Sequence, residues 1–333
     1  MENLDETDLR ILAELDRNAR MSTVQLAKKV HIGKETANYR VNTLQKKGIL
    51  IKFVTMTNPA RFGYSVFKVY IRYQFMTKDV HEEIIRWLTR HEYIYWVVSC
   101  KGKWDLNFCI FARSINQYDE LMMPFFDLFG KHVRDQEINT TLVVGIKSKD
   151  WLSQKKKSGT KLVFFGGETS EAHIDKMDFE IMKTIANNGR MNATLIAEKI
   201  GTTPRIAIYR MRELEKKKII LGYTTSLDLA LLGKQFFKAM ISFSTFNKKV
   251  RMRIQEYCLQ RPHIGFFIFC VGSWPLEIEF IVDDNAQFYK EMDAFQETFP
   301  EMSTYDFLIY PKEFKFDWVP QCYRPDESAK TLH

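Results

Sequence analysis

The sequence predicts an α+β protein built as a tandem repeat, with two winged helix-turn-helix domains and two ferredoxin-like βαββαβ domains in one chain. Three observations predict it. Shifting the chain by 170 residues without a gap places 21 of the 68 residues 4–71 on identical residues of 174–241, where chance would give roughly four. Residues 31–48, HIGKETANYRVNTLQKKG, and 201–218, GTTPRIAIYRMRELEKKK, keep Ala, Tyr-Arg, Leu and Lys-Lys in register while most residues between them differ in charge. Within each half, the hydrophobic spacing then switches from a helical period to a period near two.

The helices come first. Leu9, Ile11, Leu12 and Leu15, then Val24, Leu26, Ala27 and Val30, then Ala37, Val41 and Leu44 mark three short amphipathic helices. Ser22 is placed to cap the second, and Thr203-Pro204 opens the third helix of the second copy with a cap and a first-turn proline. The stretches ILIKFVTM and IILGYTTSL read as strands that could form a wing. From residue 66 the segments VFKVYIRYQF, DVHEEIIRWLTRH, YIYWVVSCKG, WDLNFCIFA, INQYDELMMPFFDLFG and VRDQEINTTLVV give the order β-α-β-β-α-β. The second half repeats it from FFKAMISFST to YDFLIYP. Helices cover one face of such a sheet. The other face needs a partner, so sheet-to-sheet pairing is expected, within the chain or in a homo-oligomer.

The boundaries read as helix-turn-helix 1 at 1–58, sheet domain 1 at 62–147, a linker at 148–172, helix-turn-helix 2 at 173–228, sheet domain 2 at 232–318 and a tail at 319–333. In the linker, KSGTKLVFFGGETSEAH replaces periodic hydrophobics with Gly, Ser and charge, although its LVFF core could add a short strand.

Composition narrows the function. The 333 residues are 45% hydrophobic and 27% charged, as in a globular protein with more than one core. There is no run of 18 apolar residues and the first residues are polar and acidic, so neither a membrane span nor a secretory signal is expected, and the cytoplasm is the expected compartment. Five cysteines without a CxxC pair read as buried thiols. The net charge of +8 is concentrated: residues 1–55 carry +3, 172–225 carry +4, and 146–171, with the run Lys155-Lys156-Lys157, carry +3, leaving −2 elsewhere. A polyanion would be drawn to the segments bearing the repeated helix and to the linker between them.

LDETDLRILAELDRNARMSTVQLAKKV, the HIG turn and RVNTLQKKGIL together resemble the DNA-binding domain of the Lrp/AsnC transcription regulators. The following sheet domain, with its Gly-x-Trp-Asp-Leu turn at Gly102 to Leu106, resembles that family's effector-sensing RAM domain. The likeness spans about 1–147 and 173–315, and the departure is the duplication: the family ordinarily has one unit per chain and dimerises through its sheets. The resemblance implies double-stranded DNA as partner, an amino acid as effector near the loop after the second strand, and no cofactor.

If Ala37, Val41 and Leu44 face the core, the outer stripe of the third helix is Glu35, Tyr39, Asn42 and Lys46, flanked by Lys34, Thr36, Asn38 and Thr43. Asn38 or Asn42 could pair with adenine, and Tyr39 with phosphate. The second copy offers Arg205, Tyr209, Arg212 and Lys216, with Thr203 at its start. Ile206 and Ile208 either touch thymine methyls or lie in the core. Arg40 and Arg210 recur beside the core stripe and either hold phosphate or form ion pairs with Asp8 and Asp178. Two unlike helices on one chain suit an asymmetric DNA site.

At the sensor turns, CKGKWD and CVGSWP, Asp105 could bind a ligand's ammonium group where Pro275 cannot. Ser99, Gly102, Asp105 and Gly272 are the candidate effector residues. The alternative is a purely structural turn in which Trp104 and Trp274 pack the core. Siroheme decarboxylases share this domain arrangement, but the place of their catalytic-type histidine falls on Trp96 and Phe266, with His91 and His263 earlier. No HExxH, P-loop, GxGxxG or Gly-x-Ser-x-Gly pattern occurs, which argues against an enzyme.

Overall fold

The computed structural model describes residues 4–152 and 160–325. The Lys155-Lys156-Lys157 run and the end of the expected tail lie outside the described residues. The first half contains α1 (Glu6–Arg17), α2 (Thr23–Val30), α3 (Lys34–Lys46) and β1 (Leu50–Thr57). Then come β2 (Ser65–Tyr73), α4 (Lys78–Arg90), β3 (Ile94–Gly102), β4 (Leu106–Ala112), α5 (Ile115–Phe129) and β5 (Val133–Lys147). The LVFF segment forms β6 (Leu162–Gly166). The second half repeats the order as α6 (Lys176–Ile185), α7 (Ala193–Ile200), α8 (Pro204–Lys216), β7 (Ile220–Leu227), β8 (Gln235–Phe243), α9 (Lys248–Gln260), β9 (Ile264–Val271), β10 (Leu276–Val282), α10 (Asn285–Thr298) and β11 (Met302–Phe316).

Local chemistry sets the helix starts. Ser22 caps α2 and exchanges hydrogen bonds with Gln25 in a capping box, while Asp5 and Asp8 do the same at α1. Thr203 accepts from the Ile206 N–H and Pro204 fills the first turn of α8.

The strands read as wings take a different role. Among the described residues β1 has no hairpin partner in its own head; it pairs antiparallel with β7 of the other half. Val54 lies opposite Thr224, its own repeat counterpart, so a pseudo-twofold axis passes through this ribbon. Each head supplies only one strand, and the unpaired edge of each is satisfied by the other.

The sheet domains pair within the chain. Each has the strand order of a ferredoxin-like sheet, β5-β2-β4-β3 and β11-β8-β10-β9. β5 and β11, at 15 residues each, are long enough to serve both sheets. β5 pairs first with β2 and then with β9, and β11 first with β8 and then with β3. The eight strands thereby close into a barrel, with β6 added beyond β5. Two outer cores lie between barrel and helices, gathered around Phe108 and Phe125 and around Phe267 and Phe295. The inner core is continuous from the barrel interior through the ribbon into both heads.

The start of the expected tail belongs to this core. Val319, Cys322 and Tyr323 are buried, and the Tyr323 ring stacks on Phe62 at 3.7 Å between centroids. All five cysteines are free and buried. No helix of the described residues is long and apolar enough to cross a membrane.

Candidate nucleic-acid interface and sensor cavity

The third helix of each head buries one narrow stripe, Ala37, Val41 and Leu44 in α3 and Ala207, Met211 and Leu214 in α8. Of the residues expected on the outer faces, Lys34, Glu35, Thr36, Asn38, Tyr39, Asn42 and Lys46, and Thr203, Arg205, Ile206, Tyr209, Arg212 and Lys216 are exposed, while Thr43 is half-buried and donates to the Tyr39 carbonyl at 2.9 Å. Tyr39 is 71% and Tyr209 60% exposed, as side chains free to enter a groove must be. Ile206 and Ile208 are also exposed, so neither lies in the core. The two helices thus present the same frame with unlike chemistry.

For Arg40 and Arg210 the ion-pair alternative is the one observed. Arg40 donates to Asp5 and Asp8 at 2.7 and 2.9 Å, and Arg210 to Asp175 and Asp178 at 2.6 and 3.3 Å. Both guanidinium groups tie the third helix to the acidic first turn of the first helix, where the helix dipole already favours carboxylates. Burial raises the pKa of Asp178, and the nearby Asp175 charge adds to the rise against the pull of Arg210. Arg40→Ala and Arg210→Ala should each cost about 1 kcal/mol of stability, read as a lower urea midpoint. The salt dependence of DNA binding should stay unchanged in either variant.

The heads are held against each other by a symmetric clasp that sequence reasoning missed. Arg20 donates to the Gly189 carbonyl at 2.7 Å and lies over the Tyr223 ring. Arg190 donates to the Ala19 carbonyl at 2.9 Å and lies over Phe53. Both arginines are among the residues identical between the repeats, and that identity was the available signal. Asp16, buried in the first head, binds Lys149 of the linker and Thr224 of β7. With ribbon, clasp and Asp16 in place, the two recognition helices are fixed relative to one another. Beside α8 a cleft of about 480 Å³ is lined by Arg20, Lys161, Arg212 and Lys218, with Glu215 the acid among them. The linker's Lys161 therefore adds positive charge next to the second head.

At the sensor turns the expected residues do structural work. Asp105 accepts from the Tyr73 N–H at 2.9 Å, and Ser99 donates to the Lys312 carbonyl at 3.2 Å. Gly102 and Gly272 stand where strands of the opposite sheet pass closely. A Cβ at Gly102 would lie 2.6 Å from the Phe307 carbonyl, and one at Gly272 would collide with Asn139. Trp104 and Trp274 are buried. A cavity of about 520 Å³ does open here on the pseudo-twofold axis, but none of Ser99, Gly102, Asp105 and Gly272 lines it. Its charged walls are Arg72, Lys103, Asp135 and Glu137 of the first half and Asp306 of the second, with Lys103 and Asp306 paired at 2.6 Å.

The barrel interior holds a closed polar network. Glu277 receives hydrogen bonds from Lys68 (2.6 Å), Lys238 (2.9 Å), Tyr70 (2.7 Å) and Trp274 (3.0 Å). Lys238 also pairs with Glu279 at 3.0 Å. Burial alone would raise the Glu277 carboxyl, but Lys238 and Lys68 win and hold it far below the ordinary carboxylate range. Burial pushes the thiol of Cys109 up to about 11 and those of Cys258 and Cys322 to about 12, so none is a ready nucleophile. His91 accepts from the Tyr93 N–H and His263 contacts Gln287, both away from this network. No cluster of three metal-ligating side chains exists among the described residues.

A family model described as winged helix-turn-helix DNA-binding matches residues 4–51 and 174–220. An HTH-type transcriptional regulator of Pyrococcus horikoshii is 31% identical over 124 residues, 37% of this chain and 82% of the relative. The chain belongs to the HTH-type transcriptional regulators. The Bkd operon transcriptional regulator of Pseudomonas aeruginosa is 25% identical over 35% of this chain and 77% of that protein. Each of these alignments is shorter than one repeat, and the winged helix-turn-helix match occurs twice in this chain. The crystal structure of the siroheme decarboxylase NirDL superposes over 94% of this chain and 93% of that one, with a TM-score of 0.61 and 11% identity. That likeness is one of fold alone.

Proposed function

We propose that this DNA-binding regulator reads an asymmetric site through two unlike recognition helices held in one rigid unit, without catalysing a reaction. The observation that supports it is the pair of exposed faces on one frame. Glu35 and Asn42 in the first head stand at the positions that Arg205 and Arg212 take in the second. The first head suits adenine through Asn38 or Asn42; the second suits guanine and phosphate. Against catalysis stand Trp96 and Phe266 at the place of the decarboxylases' histidine, and a barrel interior whose charges are already bonded to one another. The cavity at the sensor turns is the effector site of this reading. An amino acid would set its carboxylate against Arg72 and Lys103 and its ammonium against Asp306 or Glu137, with Asp105 and Gly102 shaping the turn.

Binding-site selection on the intact chain, with and without an amino-acid mixture, tests it. The best site should be non-palindromic, with one adenine-containing and one guanine-containing half. A perfect palindrome as the best site would end the asymmetric reading.

A further inference from the structure

Between the β1–β7 ribbon and the barrel lies a cleft of about 530 Å³, a size typical of small-molecule sites, which run from about 300 to 1,000 Å³. The ribbon contributes Ile51 and Val54; the barrel contributes Phe236, Phe266, Phe316 and Trp318. Those four aromatic residues also line a deeper chamber of about 70 Å³ that reaches Cys109 and Val144 inside the barrel. Ile51 is 54% exposed, an apolar side chain at a cleft that no other element fills.

The charges around the cleft do not balance. Five lysines and two acids line it. Asp16 neutralises Lys149, and Asp283 neutralises Lys234. Lys52, Lys147 and Lys312 have no carboxylate within ion-pair distance among the described residues. Of the two acids, Asp228 accepts from the Leu231 N–H, and Glu313 accepts from the Trp96 indole at 2.9 Å. An aromatic-walled cleft with a surplus of ammonium groups recognises an apolar body carrying negative charge.

We propose that this cleft is a second ligand site, separate from the cavity at the sensor turns, and that it takes an organic acid with an extended apolar or aromatic body and one carboxylate. An occupant would touch the ribbon that joins the heads and the barrel at once. Occupancy would therefore couple to the placement of the recognition helices, a consequence that rests on the DNA-binding reading; the binding itself does not.

Decanoate and decylamine, matched in chain and opposite in charge, are the probes, titrated against the intact chain and followed by tryptophan fluorescence from Trp96 and Trp318. Decanoate should saturate at one per chain and bind at least about tenfold more tightly than decylamine. Charge reversal in K52E/K312E should abolish or invert that preference. I51W, at an exposed position, should weaken both probes about tenfold while leaving the circular dichroism unchanged. Three results would overturn the proposal: decylamine binding as tightly as decanoate, decanoate binding untouched by both I51W and K52E/K312E, or no saturation below micelle formation. DNA affinity measured without probe on the same samples separates failure of this site from failure of the regulator reading.

Discussion

Glu277→Gln should cost about 3–5 kcal/mol of stability, because it strands the buried Lys68 ammonium and leaves Lys238 with Glu279 alone. Lys68 and Lys238 both rest on the same Glu277 oxygen, and Tyr70 and Trp274 donate to the other. All four partners are buried, so water cannot replace the lost charge. Urea unfolding by circular dichroism reads the loss as a fall in midpoint. Loss of a similar size from Lys68→Met would fit, since it leaves the acids in excess.

The repeat supplies the control. The counterpart of Glu277 is Asn107, also fully buried, whose side chain meets the Tyr310 hydroxyl at 3.1 Å. The counterpart of Glu279 is Cys109, and that of Lys68 is Lys238. Pairing two first halves would bury two lysines with no acid at these positions; pairing two second halves would bury two lysines with four acids. Only unlike halves balance, two against two. Charge transposition in N107E/E277Q should therefore recover at least half of what E277Q loses. If the double variant is no better than the single one, charge balance between the halves is not what stabilises the network, and the acid must stand at position 277.

The pH dependence has a definite sign. Glu277 is held below its unfolded pKa, so its contribution is full above the ordinary carboxylate range and is lost only as pH falls far below it. Lys238 is held well above the ordinary lysine value: burial alone would lower it, but Glu277 and Glu279 outweigh that. Its contribution is full below that value and is lost only as pH rises beyond it. Between about pH 5 and pH 9 the network should add nothing to the slope of stability with pH.

The repeat, the helix-turn-helix frame and the βαββαβ order were legible because each rests on local periodicity or on identity at a fixed shift. The outer faces of α3 and α8 followed from the same periodicity, once Ala37, Val41 and Leu44 were taken as core. What joins the halves was not legible. β1 and β7 look like wings in isolation, and nothing local says that each strand's partner is the other. The 15-residue length of β5 and β11 hints at a double duty, but the register that closes the barrel is a long-range fact. Arg40 sits at the edge of the core stripe, where helical geometry permits both phosphate and ion pair, and the acids that decide it lie 32 and 35 residues away. The two readings of the sensor turns were not separable in the sequence for a related reason. Gly102 and Gly272 mark a close approach of strands from the other half, and a glycine in a loop does not announce whether a ligand or a backbone comes near.

Removing the two arginines of the second recognition helix should have the largest effect on DNA binding. Arg205 and Arg212 are exposed, carry the face of α8, and stand where α3 has Glu35 and Asn42. If each neutralises one phosphate, R205A/R212A should flatten the slope of log K against log salt by about 1.8. If instead one reads guanine, its loss should cost about 1–3 kcal/mol and relax the preference at a single base pair, with little change in slope. N38A/N42A in the first head should relax the other half-site and leave the slope alone, because amides release no counterions. The two double variants thus separate the roles of the heads by different observables. E35R gives the converse: removing an acid from the groove-facing side of α3 and supplying a cation should tighten binding and steepen the slope by about one. A regulator whose heads were equivalent would respond alike to changes in α3 and α8; unequal slopes are what two unlike heads on one rigid frame require.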